Sequence, residues 1–191
     1  MAFVDGFSHS LGLERFHLVG HSMGGCIALL YALKFPHKIE RLTLVSSIGL
    51  GKEISLWIRA LSSPVFGRII KEAAIAITKA ASRMIRFLHA PFQFINPVTR
   101  VRVDMVRTVT TWKGQATVLL GLLSELMMPT LLVWGDKDRI VPANHAYAAA
   151  ELIPNCQVHI FEDAGHSVYK EKVQEFSQLL KRNGDFKERA R

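Results

Sequence analysis

The sequence predicts an α/β fold, part of a doubly wound, mainly parallel sheet with an inserted helical cap, and three patterns predict it. Residues 1–48 hold a strand, a helix and a second strand within about 30 residues, the βαβ rhythm of parallel pairing. Residues 49–128 change to apolar positions at helical spacing. From residue 129 to 191 strand and helix alternate again.

The elements follow in order. Met1 to Leu11 reads as the end of a helix feeding the first strand. Arg15 to Gly20 is short, apolar and closed by glycine, as a buried strand is. Cys26 to Phe35 is almost wholly apolar and built of strong helix formers, and Pro36 stops it. Arg41 to Val45 is the second strand. Between 49 and 128, Ile69, Ala73, Ile77, Ala80, Met84, Ile85 and Leu88 recur at helical spacing, with Lys71, Lys79, Arg83 and Arg86 between them. Pro64, Pro91 and Pro97 divide this zone into short helices. Thr130–Gly135 is a third strand, Ala143–Ile153 a helix and Gln157–Phe161 a fourth strand. Val168–Arg182 is an amphipathic helix with Val173, Phe176, Leu179 and Leu180 on one face, followed by a polar tail.

A chain of 191 residues can bury a sizeable core. Its net charge of +8 is uneven: residues 50–128 carry eleven Lys/Arg against four acids, and the remainder thirteen against twelve. The basic zone reads as a solvated face that could also draw in anionic substrates. No nucleic-acid motif accompanies it, so no nucleic-acid partner is expected. Cys26 and Cys156 are too few for a disulfide framework or metal site and read as small core residues. No secretory leader is visible, and Glu125 and Pro129 interrupt the most apolar stretch, so no membrane span is assigned and a cytoplasmic location is expected. Membrane contact by the Ile69–Leu88 helix is the weaker reading beside cap packing.

The chemistry centres on Gly20-His21-Ser22-Met23-Gly24-Gly25, where the first strand meets the first helix. A serine there leaves the strand in a tight turn, and small residues two before and two after let backbone come close. The helix N-terminus suits a developing oxyanion, and the Met23 backbone N–H is a candidate donor. A serine hydroxyl needs a base, and the base an orienting acid. Asp138 follows the third strand, in Gly135-Asp136-Lys137-Asp138, and His166 follows the fourth, in Asp163-Ala164-Gly165-His166-Ser167, completing the order Ser, Asp, His. The roles that follow are Ser22 as nucleophile, His166 as general base and acid, and Asp138 as its orienting group, with Asp136 two residues away able to take that place. Simpler readings stand beside these: Ser22 as a helix N-cap, His166 as a loop histidine, Asp136 as a turn carboxylate. His21 reads as packing beside the elbow, and the remaining histidines show no ligand spacing. Trp57, Phe66, Phe87, Phe92, Phe94 and Trp112 could line an acyl pocket but read as core.

The segments "LVGHSMGG", "LLVWGDKDRIVP" and "FEDAGH" together resemble the α/β-hydrolase superfamily, serine esterase-like with a helical cap. The resemblance runs from Leu11 to about Lys181, residues 49–128 matching in position and helical character alone. It implies that the Gly-x-x-Asp pattern selects Asp138 over Asp136, and that 49–128 is a lid closing over substrate. Ser rather than Asp at the elbow argues against the dehalogenase and epoxide-hydrolase branches. It also implies strands upstream of the elbow, with a loop, often His-Gly, giving the second oxyanion N–H. Only 21 residues precede Ser22, so the chain is expected to be the C-terminal part of the fold, truncated at its N-terminal strands.

The expected activity is hydrolysis of a small, largely apolar carboxylic ester through an acyl-serine intermediate, with no cofactor and no metal. The alternatives are a carbon–carbon bond hydrolase of ring-cleavage products, mildly favoured by the basic cap and by "SSIGLG", and a non-catalytic fragment. The expected partner is a small-molecule substrate.

Overall fold

The computed structural model describes residues 2–63 and 109–184, with Ile69, Glu72 and Ala76 between them. In chain order the elements are α1 (Ala2–Ser10), β1 (Phe16–His21), α2 (Met23–Lys34), β2 (Ile39–Val45), α3 (Leu56–Ser62), β3 (Thr110–Thr111), β4 (Gly114–Gln115), β5 (Thr130–Gly135), α4 (Asn144–Ala150), β6 (Cys156–Phe161), α5 (Val168–Glu171) and α6 (Val173–Gly184). Single 3-10 segments lie at Pro36–Lys38 and Leu120–Glu125. They fall into two units, Met1–Glu53 with Thr117–Arg191, and Ile54–Ala116.

The first unit is built on a four-stranded sheet in the order β1-β2-β5-β6, every neighbouring pair parallel. Each step moves the chain the same way across the sheet, and right-handed crossovers then put the connecting helices on one face. Helix α2 packs on β1 and β2, and α4 on β5 and β6. Gly20 points at α2: a Cβ there would lie 2.5 Å from the Gly24 carbonyl oxygen and 2.7 Å from Gly25 Cα. Strand side chains alternate, so Val45, Leu131, Val133 and Phe161 face the other way. With Ala164 and Val168 they form a core against which Phe176, Leu179 and Leu180 of α6 pack.

The central strands are rich in apolar residues because both their faces are covered, though Arg41 and Thr43 are also buried in β2. All six residues of β5 and six of seven in β2 are buried. In β1, which among the described residues pairs on one side only, Gly20 alone is buried and Val19 is 48% exposed. The four strands match the sequence reading to within two residues, and Thr130–Gly135 matches it at both ends.

Two readings need correction. The amphipathic stretch from Val168 is two helices, because Lys172 leaves the helical region at φ −126°, ψ 50°. The break shifts the phase of the stripe, and Val173 is 56% exposed while Phe176, Leu179 and Leu180 reach the core. The helix after β5 spans Asn144–Ala150, shorter than the pattern at both ends. Residues 49–53 and 117–128 belong to the first unit. There the Leu119 N–H donates to the Gly49 carbonyl (2.8 Å), and Leu123 and Leu126 are fully buried.

The second unit contains α3 and the antiparallel pair β3–β4, a hairpin inside a zone that reads as helical. Arg59 Nε–H donates to the Trp112 carbonyl (2.9 Å), and the Ser62 and Thr110 hydroxyls lie 2.6 Å apart, tying the helix to the hairpin. Gly114 turns the hairpin at φ 129°. The Ile69–Leu88 helix lies outside the described residues, apart from Ile69, Glu72 and Ala76, which are helical. Among the described residues no helix is long and apolar enough to cross a membrane.

Candidate active site

Ser22 follows β1 directly and holds φ 54°, ψ −118°. Positive φ crowds any Cβ against its own backbone and persists only where surrounding contacts impose it. Those contacts are visible. The Ser22 N–H donates to the Val45 carbonyl (2.9 Å), and the Ser22 carbonyl accepts from Gly25 N–H (3.0 Å) and Ile48 N–H (3.1 Å). The end of β2 and the loop after it thus grip the bend from both sides. The Ser22 side chain makes no capping hydrogen bond to α2, which removes the N-cap explanation for a serine here. Met23 opens α2, where helix geometry leaves the first N–H groups without intrahelical acceptors.

The two glycines of the motif are not equivalent. Gly20 is needed for close approach, but a Cβ on Gly24 would meet nothing within 4 Å. The second tight contact belongs to Gly25, whose Cβ would collide with the side chain of Ser47. Sequence spacing points to Gly24, and packing selects its neighbour.

Asp138 and His166 leave the C-terminal ends of β5 and β6, the edge where doubly wound sheets gather their sites. The structure brings them together: His166 Nδ1–H donates to Asp138 Oδ2 at 2.8 Å. The Asp138 side chain is fully buried and that of His166 is 14% exposed. Asp138 Oδ1 accepts from the Ile140 N–H (2.8 Å) and Val141 N–H (3.0 Å), so both carboxylate oxygens are satisfied. Burial alone would raise the Asp138 pKa. The His166 hydrogen bond and charge, with the two backbone donors, outweigh burial and hold it below the ordinary carboxylate value. Asp136 instead accepts from the Ala164 N–H (3.3 Å), tying down the root of the histidine loop.

That loop rests on β5 through Gly135, where a Cβ would collide with the carbonyl oxygens of Ala164 and Gly165. The Lys137 N–H donates to the Ala164 carbonyl (2.9 Å), and Lys137 and Asp163 pair at the loop's start, where Asp163 turns the chain at φ 55°. His21 lies on the Val45 side of the sheet and reaches the same loop. Its ring centroid is 4.8 Å from that of His166 and 5.0 Å from that of Tyr169. Its neighbour in the chain is Ser22, so the serine bend and the Asp138–His166 pair share one corner of the sheet.

Sequence reasoning missed two other polar groupings. Glu171 hydrogen-bonds the backbone around His166, and His145, only 3% exposed, bonds Glu53 through Nε2 (2.8 Å). Neither residue follows a motif, and an exposed Glu in a helix pattern carries no signal of its own. Among the described residues no three His, Cys, Asp or Glu side chains gather as a metal site requires.

Comparison with known proteins gives this geometry a context. Residues 2–173 match the family described as "alpha/beta hydrolase fold". An uncharacterized protein of Mycobacterium tuberculosis is 30% identical over 202 residues, covering 94% of this chain and 59% of the relative. The 2-hydroxy-6-oxo-6-phenylhexa-2,4-dienoate hydrolase of Comamonas testosteroni is 28% identical, over 92% of this chain and 65% of its own. The crystal structure of serine hydrolase CCSP0084 from Cycloclasticus zankles superposes with a TM-score of 0.68 at 22% identity, over 94% of this chain and 67% of that one. The chain thus spans about three fifths of the length of the mycobacterial relative it matches. On the match of residues 2–173, the chain belongs to the α/β-hydrolase fold family.

Proposed function

We propose that the chain is a serine hydrolase acting on a small, largely apolar carboxylic ester, with Ser22, His166 and Asp138 as nucleophile, base and orienting acid. One observation carries the reading: a buried carboxylate bonded to His166 Nδ1, at the sheet corner that also holds a serine in a strained bend. The bond to Asp138 fixes the imidazole with Nδ1 protonated and leaves Nε2 free as a base. Ser22 Oγ attacks the ester carbonyl as His166 Nε2 takes its proton. The oxyanion forms near the Met23 N–H, and the imidazolium returns the proton to the departing alcohol. Water, deprotonated by the same nitrogen, then releases the acid and regenerates the serine.

A second reading is carbon–carbon bond hydrolysis of a ring-cleavage product. The Comamonas relative favours it, as does the surplus of eleven bases over four acids in residues 50–128, since such substrates are anionic. The third is a non-catalytic chain that keeps these residues by descent.

Labelling with a fluorophosphonate tests the proposal, the Ser22 oxygen displacing fluoride from phosphorus. Labelled wild type with unlabelled Ser22→Ala supports it, whereas folded wild type that does not label overturns it. Assay of an aryl ester and a 2-hydroxy-6-oxo-dienoate side by side separates the two enzyme readings.

A further inference from the structure

The backbone around His166 presents three polar groups to its surroundings, and side chains from two other elements take up all three. Glu171, at the end of α5, turns its carboxylate back over the loop. Oε2 accepts from the Gly165 N–H at 2.7 Å and Oε1 from the Ser167 N–H at 3.2 Å. Between them the His166 carbonyl accepts from His21 Nε2–H at 2.9 Å. The closeness of Gly165 to this carboxylate, with a Cβ position 3.3 Å from Oε1, leaves little room for any other residue there. Two oxygens of one rigid carboxylate on two N–H groups fix position and orientation together, as a single bond cannot.

We infer that Glu171 and His21 are positioning residues that clamp the backbone on both sides of His166 and so aim its imidazole between Asp138 and Ser22. The reasoning rests on His166 being the general base. The physical need is plain. His166 stands on a loop, Asp138 holds only its Nδ1, and a ring held at one atom still swings about that bond. His21 adds a second restraint through ring contact at 4.8 Å, and Tyr169 in turn packs edge-on with His21 at 5.0 Å. Catalytic groups must be held within a fraction of an ångström, and a misplacement of about 1 Å can cost about 10²-fold in rate.

The test compares Glu171→Ala with Glu171→Gln, and His21→Phe with His21→Gln. Both Glu171 variants remove the same charge, and only Gln keeps an acceptor for a backbone N–H. Both His21 variants lose the imidazole, and only Gln keeps an N–H donor. Two readouts are taken on the intact chain: the rate of fluorophosphonate labelling of Ser22, and the His166 Nδ1–H resonance followed by NMR with isotopically labelled histidine. Glu171→Ala is expected to slow labelling by about 10- to 100-fold. It should also shift or broaden the His166 Nδ1–H resonance as the ring loosens from Asp138, with faster amide exchange at Gly165 and Ser167. Glu171→Gln should recover part of each change, and His21→Gln should exceed His21→Phe. A wild-type Nδ1–H resonance and wild-type exchange in Glu171→Ala, or Gln variants no better than their partners, would overturn the inference. If wild type fails to label, the hydrolase reading falls. The resonance and exchange data still decide whether the clamp positions the ring.

Discussion

Ser22 holds φ 54°, ψ −118°, and the penalty for that state falls on its Cβ rather than its hydroxyl. Ser22→Ala and Ser22→Gly both delete the hydroxyl, which makes no capping bond, but only glycine deletes the Cβ. At an ordinary site alanine is the more stable of the two by about 0.4–1 kcal/mol, because glycine gains more freedom on unfolding. Strain at a sparsely populated backbone state costs about 1–3 kcal/mol, and glycine is released from it. Subtracting the first from the second leaves glycine ahead by about 1 kcal/mol, a reversal of the usual order. With a urea dependence of about 2 kcal/mol/M, that is a midpoint about 0.5 M higher for Ser22→Gly than for Ser22→Ala. The assay is equilibrium unfolding in a Trp57→Phe, Trp112→Phe background, so that fluorescence reports the fully buried Trp134 of β5 in the unit that holds Ser22. An alanine variant as stable as the glycine variant, at equal slopes, would refute the idea that the bend stores strain.

Other predictions follow from the same contacts. Gly20→Ala and Gly25→Ala should each destabilise by about 1–3 kcal/mol through overpacking, while Gly24→Ala, with open space at its Cβ, should be neutral or slightly stabilising in the same urea titrations. Gly135→Ala should cost a similar amount and also slow Ser22 labelling, because the new methyl meets the Ala164 and Gly165 carbonyls and pushes the histidine loop outward. Asp138→Asn should keep the fold yet reduce labelling by about 10³–10⁴-fold, since an amide no longer selects the Nδ1–H tautomer; a loss under tenfold would count against the assigned role. Burial lowers the His21 pKa against the raising effect of its bond to the His166 carbonyl, with His166 and Lys170 lowering it further and Asp138 raising it. The unfolded chain therefore binds its proton first. Stability from this group is complete above about pH 6.5 and is lost as pH falls through the lower folded value. His21→Phe should flatten that part of a stability–pH curve. Asp138 acts in the same sense at lower pH: its contribution is present above the ordinary carboxylate pKa and lost as pH falls through its depressed folded value.

Much of this protein was legible before any coordinates. A strand covered on both faces is mostly apolar, so β5 announces itself as Thr130–Gly135, and β2 as Arg41–Val45 despite the buried Arg41 and Thr43. Gly20-x-Ser22-x-Gly24 after such a strand marks the bend, since few sequences place small residues around a serine there. Asp138 and His166 were legible as an acid and a histidine following two later strands. Less legible was anything depending on which backbone touches which. The Lys172 break leaves no mark on an amphipathic stripe, because one residue outside the helical region changes phase, not composition. The hairpin at Thr110–Gln115 is too short for alternation to register.

Sequence by itself determined the elements and the chemical inventory: parallel strands, a serine at a strand-to-helix junction, an acid and a histidine downstream. Tertiary structure decided the partnerships. Asp138 rather than Asp136 meets His166, Gly25 rather than Gly24 carries the tight contact, and an unremarkable glutamate grips the His166 loop. The reason is physical. Local pattern records how a residue relates to its own strand or helix. Which of two carboxylates two residues apart reaches a ring 28 positions away depends on how one loop lies across another.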